Sequence, residues 1–247
     1  MSEIVLVTGA TTELGQALCN ELIFHDVQLA LTDLDAKCLT GLAQRLGPRA
    51  HALPLDRRDP SELTGLAFRL EQRFGRLDSL IQVTDIIRPE DFADRPSRNA
   101  FNALHVDLIP LQLLTRLMIP LLHRSTRARV FMALTTGDGV LPPRRSLCWP
   151  ELSEALHLFA EELETNTITF HSILPSALRI PTPGEGAEED VIDNAQCVST
   201  VEQIIRMIET PRLQQPRECW QRKLAIAARQ FSQMLSRRTR HNSQRNS

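Results

Sequence analysis

Residues 5–18 read VLVTGATTELGQAL. Val5, Leu6 and Val7 close an apolar run that starts at Ile4, and Gly9 breaks it. From Leu14 to about Phe24 the apolar spacing changes to that of a helix. A short buried strand, a glycine turn and a helix in direct succession open a strand–helix–strand unit. If that alternation recurs, the strands must be parallel and the helices must cover both faces of the sheet.

It recurs down the chain. Apolar runs at 27–31, 50–55, 77–83, 129–134 and 167–174 predict five further strands. Helical periods at 36–46, 60–74, 101–122 and 150–163 lie between them. The 101–122 segment is apolar all round, which predicts burial on two sides. The expected fold class is α/β, a doubly wound parallel sheet with helices on both faces. One domain is expected over 1–215, with a helical tail over 216–247. Residues 181–194, PTPGEGAEEDVIDN, read as a mobile surface loop. No internal repeat is visible.

Composition sets the class of protein. A chain of 247 residues, 42% hydrophobic and 23% charged, suits one large globular domain. No apolar run approaches the ~20 residues of a membrane span. The start MSEIVLVTGA lacks the basic and apolar regions of a secretory signal. Cys19, Cys38, Cys148, Cys197 and Cys219 are dispersed, so free thiols in a reducing, cytoplasmic setting are expected. No cluster has zinc-site spacing. The net charge of −2 hides an asymmetry, because 216–247 holds eight basic residues and one acid. Within 218–235, Trp220, Leu224, Ala227, Phe231 and Met234 share one helical stripe, with Arg222, Lys223 and Arg229 elsewhere. This basic amphipathic helix could meet a protein partner or an anionic surface, or dock on its own domain or a second copy. Residues 237–247 are polar and basic and are expected to be disordered.

The opening stretch resembles the short-chain dehydrogenase/reductase family, whose fingerprint is T-G-x-x-x-G-x-G. Thr8, Gly9 and Gly15 match, and Glu13 replaces the middle glycine. The resemblance runs over about residues 3–210 and implies a Rossmann-like sheet with an NAD(P) site. Such glycines let backbone approach a pyrophosphate at a helix N-terminus, where free N–H groups and the helix dipole attract anions. The implied cofactor positions are Thr8, Gly9, Glu13, Leu14, Gly15, Asp33 and Asp56. Glu13 adds a side chain and a like charge, so affinity should be weakened or lost. It could turn to solvent or serve as an N-terminal helix acid. Asp33 stands where an acid would bond a ribose 2′-hydroxyl and repel a 2′-phosphate, favouring NAD over NADP. Its other reading, in TDLDAK, is a strand-end or helix-capping acid. Asp56 corresponds to the family residue that meets the adenine, or is again a cap. After strand four the family has N-N-A-G, and this chain has Gln82, Val83, Thr84 and Asp85.

The family's catalytic residues are mostly replaced. Its Ser corresponds to Thr136, with Thr135 as the neighbouring possibility, and its Asn corresponds to Asp107. Residues 146–156, SLCWPELSEAL, place Trp149 and Ser153 where the family has Tyr and Lys. An indole cannot ionise usefully and a serine brings no charge. Shifting the pair to Cys148 and Leu152 does not restore it. The chain has no tyrosine, and its only lysines are Lys37 and Lys223. Ser176 replaces the glycine of the family's P-G. Cys148, His157, His105, Arg144 or Arg145 could supply a proton or polarise a carbonyl, but each also reads as an ordinary surface or core residue. The resemblance thus implies oxidoreductase ancestry, with orthodox hydride transfer lost and nucleotide or partner binding kept. The alternative is an active NAD-dependent oxidoreductase on a small carbonyl or alcohol, with a rebuilt proton donor. A homo-oligomer through the 101–122 and 150–163 helices is also implied.

Overall fold

The computed structural model describes residues 2–87, 97–136, 168–173 and 194–209. In chain order these form β1 (Glu3–Thr8), α1 (Glu13–Leu22), β2 (Val27–Thr32), α2 (Ala36–Leu46), β3 (Ala50–Ala52) and α3 (Pro60–Phe74). They continue with β4 (Ser79–Ile87), α4 (Ser97–Leu122), β5 (Ala128–Thr136), β6 (Ile168–Ile173) and α5 (Asn194–Glu209). The strands make one sheet in the order β3-β2-β1-β4-β5-β6, and every pairing is parallel. This is the doubly wound α/β arrangement expected.

Strand alternation sorts the core into two layers. Leu6, Leu80, Val130 and Met132 face Leu63, Leu66 and Leu70 of α3 and Leu111, Leu114 and Met118 of α4. Their neighbours Val5, Val7, Ile81, Val83 and Phe131 face α1, α2 and α5. Short polar caps start the helices. Thr12 caps α1, Asp35 caps α2 and Asp59 caps α3, each accepting from backbone N–H groups of the first turn. Pro60 then opens α3 and Gly75, at φ 71°, ends it.

Several features differ from expectation for identifiable reasons. β3 stops at Ala52 because Pro54 has no N–H, although Leu53 and Leu55 still donate to Leu31 and Asp33. β4 starts at Ser79 and runs to Ile87, since its far end pairs with Leu134–Thr136 through an irregularity between Asp85 and Ile87. α4 is buried on one side over 109–122, with Ile109 50% exposed on the other, in place of the two-sided burial expected. α5 was not expected at all, yet Val201, Ile204, Ile205 and Ile208 are buried at helical spacing. The expected 150–163 helix, most of the 181–194 loop and the 216–247 tail lie outside the described residues. No helix among the described residues is long and apolar enough to cross a membrane.

A polar knot ties the amino ends of the central strands. Asp78 accepts from the Ile4 N–H at 2.8 Å, the Ser125 hydroxyl at 2.6 Å and the Arg76 Nε at 3.1 Å. Beside it the nearly buried Arg129 pairs with Glu3 at 3.2 Å. Burial pushes the Glu3 carboxyl up, against the pull of Arg129. His171 of β6 stacks on Phe131 of β5, with ring centroids 5.0 Å apart. Burial, seconded by Arg129, lowers this histidine to about 4.

Candidate functional site

In an open parallel sheet the crevice forms where the chain winds one way from one strand and the other way from its neighbour, outside the strands' carboxyl ends. Here that point lies between β1 and β4. Gly9 leaves β1 at φ +66°, and a Cβ on it would stand 2.2 Å from the Val83 carbonyl oxygen of β4. A Cβ on Gly15 would stand 2.1 Å from the Gly9 carbonyl oxygen. Both glycines are therefore fixed by the closeness of their own backbone. Thr12 closes the turn: its hydroxyl donates to the Gly9 carbonyl at 2.7 Å and accepts from the Gly15 N–H at 3.1 Å. The result is a tight loop feeding a helix N-terminus, a shape suited to anions.

Glu13 needs no special backbone, since no non-glycine residue has positive φ among those described. It is the first residue of α1 and is exposed, so it both turns to solvent and serves as an N-terminal helix acid. Leu14 is buried in the core. Asp33, at the end of β2, is held by the turn itself. Its Oδ2 accepts from the Thr11 N–H at 2.9 Å and the Thr11 hydroxyl at 2.6 Å, and its Oδ1 accepts from the Leu34 N–H at 2.8 Å. The capping reading of Asp33 is displaced by Asp35, which makes the α2 cap. The same exchange occurs at Asp56, which accepts from the Arg58 N–H while Asp59 caps α3.

The turn after β4 departs from N-N-A-G in residues but keeps one support. Gln82 is fully buried and donates from Nε2 to the Leu111 carbonyl of α4 at 2.9 Å, while the Thr115 hydroxyl donates to its Oε1 at 3.4 Å. One position past Val83, the Thr84 hydroxyl accepts from Arg57 Nη1 at 2.6 Å. Neither the Thr11–Asp33 nor the Arg57–Thr84 contact was foreseen, because residues 22 and 27 positions apart leave no local pattern.

The positions corresponding to the family's Ser and Asn fall on β5 and α4. Thr136 is the last residue of β5, opposite Ile87, and Thr135 is opposite Asp85. Asp107 and His105 lie in the amino-terminal half of α4. A helix following a parallel strand runs back along the sheet, so this half of α4 stands at the carboxyl edge with Thr136. Trp149, Ser153, Cys148, His157, Arg144, Arg145 and Ser176 lie outside the described residues. Lys37 is exposed on α2. Among the described residues no group of His, Cys, Asp or Glu could hold a metal ion.

Comparison with known proteins agrees with this geometry. Residues 3–137 match the profile of the family described as short chain dehydrogenase. The oxidoreductase UcpA of Salmonella typhimurium is 24% identical over 220 residues, covering 86% of this chain and 82% of that protein. The 2,3-dihydro-2,3-dihydroxybenzoate dehydrogenase of Bacillus subtilis is 29% identical over 90 residues, 35% of this chain and 34% of its own. Among solved structures, a short-chain dehydrogenase from Streptomyces avermitilis superposes with a TM-score of 0.64 at 19% identity, covering 98% of each chain. A metagenomic short-chain oxidoreductase in complex with NADP gives a TM-score of 0.64 at 18% identity, covering 85% of this chain and 93% of its own.

Proposed function

The chain belongs to the short-chain dehydrogenase family, and from that premise we propose that it binds a nicotinamide dinucleotide without the family's tyrosine-dependent hydride transfer. The observation that carries this is a contrast within one chain. The turn of Gly9, Thr12 and Gly15 keeps the tight geometry of an anion site, while the whole sequence holds no tyrosine. A hydride acceptor needs a proton from a group of tuned pKa. A phenol near 10 becomes useful only beside a cation, and neither half of that pair stands at Trp149 and Ser153. The protein then acts by binding, as a nucleotide-responsive or partner-binding member of the family.

NAD is favoured over NADP. Asp33 has lone-pair capacity beyond the three bonds it accepts. It can meet a hydroxyl and repels a phosphate. Affinity is lower than with glycine at position 13, because Glu13 sets a like charge at the mouth. A homo-oligomer through the 101–122 and 150–163 helices would cover the exposed Ile109 side of α4, and the dispersed cysteines fit a reducing, cytoplasmic setting.

Thermal stability followed during NAD and NADH titration tests binding, and nicotinamide absorbance in the presence of aldehydes and ketones tests chemistry. The expected result is saturable stabilisation with no NADH oxidation. Steady NADH consumption with any carbonyl would overturn the loss of hydride transfer. No stabilisation by either dinucleotide would overturn the binding.

A further inference from the structure

We propose that Arg57 is a phosphate-binding residue at the crevice and that Thr84 positions it. The nature of the phosphate, that of a dinucleotide, rests on the function proposed above. The site itself rests on the placement of one side chain. Leu55 donates from its N–H to the Asp33 carbonyl at 3.1 Å, so the turn that carries Arg57 runs beside the end of β2. Thr84, which receives Arg57 Nη1, belongs to β4. β1 lies between β2 and β4. The Arg57 side chain therefore spans the end of β1, the strand that delivers Gly9.

This guanidinium differs from the three that face carboxylates. Arg76 faces Asp78, Arg124 faces Glu71 and Arg129 faces Glu3. Arg57 is half-buried, and its partner is a neutral hydroxyl that is only 1% exposed. One of its five donors is engaged there, and the full charge is retained. The remaining donors form a planar fork that matches phosphate oxygens in paired hydrogen bonds.

A second observation lies in the same row. Strand register sets Thr8 beside Thr32 on one side and beside Gln82 on the other, and Thr84 is two residues beyond Gln82 on the same face. Thr8 is 5% exposed and Thr32 fully buried, and neither hydroxyl has a hydrogen-bond partner. Unpaired buried hydroxyls are rare and costly, and these two stand beneath the span of a cation with open donors. Arg57 would also offset the two acids nearest the turn, Glu13 and Asp33.

The probes are inorganic pyrophosphate, ADP and adenosine, each titrated into the full chain with thermal stability as the readout. The native protein should be stabilised by pyrophosphate, and by ADP well beyond adenosine, with the excess shrinking as salt rises. Arg57→Gln should abolish the pyrophosphate response and weaken ADP by about tenfold or more, to the level of adenosine. Arg57→Lys should keep part of the response, and Thr84→Val should weaken ADP severalfold while leaving adenosine unchanged. Unchanged or tighter ADP binding in Arg57→Gln would overturn the proposal, as would a native protein indifferent to pyrophosphate and ADP. If NAD stabilises native and Arg57→Gln proteins alike, the nucleotide reading stands and the Arg57 site falls. If pyrophosphate acts through Arg57 and NAD does nothing, the reverse holds. Should Arg57→Gln fail to fold, the lysine and Thr84→Val variants decide.

Discussion

A single methyl group at position 9 would meet a carbonyl oxygen at 2.2 Å and sit on a backbone at φ +66°. Left-handed backbone costs a non-glycine residue about 1–2 kcal/mol, and forcing apart a packed contact costs a further ~1–3 kcal/mol. Gly9→Ala should therefore lower stability by roughly 2–4 kcal/mol, read as an earlier urea midpoint at unchanged slope. Glu13 is the opposite kind of position, exposed and in ordinary helical backbone. Glu13→Gln removes its charge and should tighten NAD by about two- to fivefold, the size of a charge effect at a helix terminus. Glu13→Gly should tighten NAD at least as much and cost roughly 0.5–1 kcal/mol of stability, so calorimetric titration beside a urea melt separates the two effects. The glycines of VLVTGATTELGQAL were legible in the sequence because their constraint is local, a strand meeting a helix within a few residues. Thr11's hold on Asp33 was not, since it joins two turns that only the folded sheet brings together.

Among the elements, the β5–β6 pair carries the clearest pH signature. His171 is held neutral by burial, with its folded value lowered from 6.5 to about 4. The unfolded chain then takes up a proton first as pH falls. The stabilisation is present above pH 6.5 and is lost progressively toward pH 4. The loss amounts to about 3 kcal/mol at about 1.4 kcal/mol per pH unit. Glu3, raised by burial, binds its proton more readily when folded and works in the opposite sense at the acid end. His171→Gln should flatten the urea midpoint between pH 6.5 and about 5, where the native protein declines. An equal decline in both proteins would exclude this histidine as the cause. Elements with long periods were readable, and Ala36–Leu46 and Pro60–Phe74 lie where their apolar spacing placed them. α5 was less legible because a segment rich in glycine, proline and acids precedes it and the apolar spacing of Val201, Ile204, Ile205 and Ile208 fills only its carboxyl-terminal part. Gln82 differs from the family's asparagine, yet it braces α4, a tertiary contact that residue type alone does not reveal.

Across the whole molecule, the two ends of the sheet have separate tasks. The glycine turn stands at the carboxyl edge, and the knot around Asp78 ties the amino edge. Asp78→Ala removes the acceptor of the Ile4 N–H, the Ser125 hydroxyl and Arg76 together. Breaking a buried ion pair of this sort costs roughly 3–5 kcal/mol, so a fall of that size in unfolding free energy is expected, with the crevice's response to NAD kept where the protein remains folded. The layered α/β plan was readable because its alternation repeats along the chain, whereas contacts such as Arg57–Thr84 were not, because they join residues far apart in sequence. The strand order carries a temporal consequence. β1 can pair with β2 early, but its Ile4 N–H waits for Asp78, 74 residues later. At bacterial-to-eukaryotic translation rates of about 5–20 residues per second, β1 stays without that partner for about 4–15 s. During synthesis the glycine turn has no Val83 to close against, so its tight geometry is complete only after the fourth strand has left the ribosome.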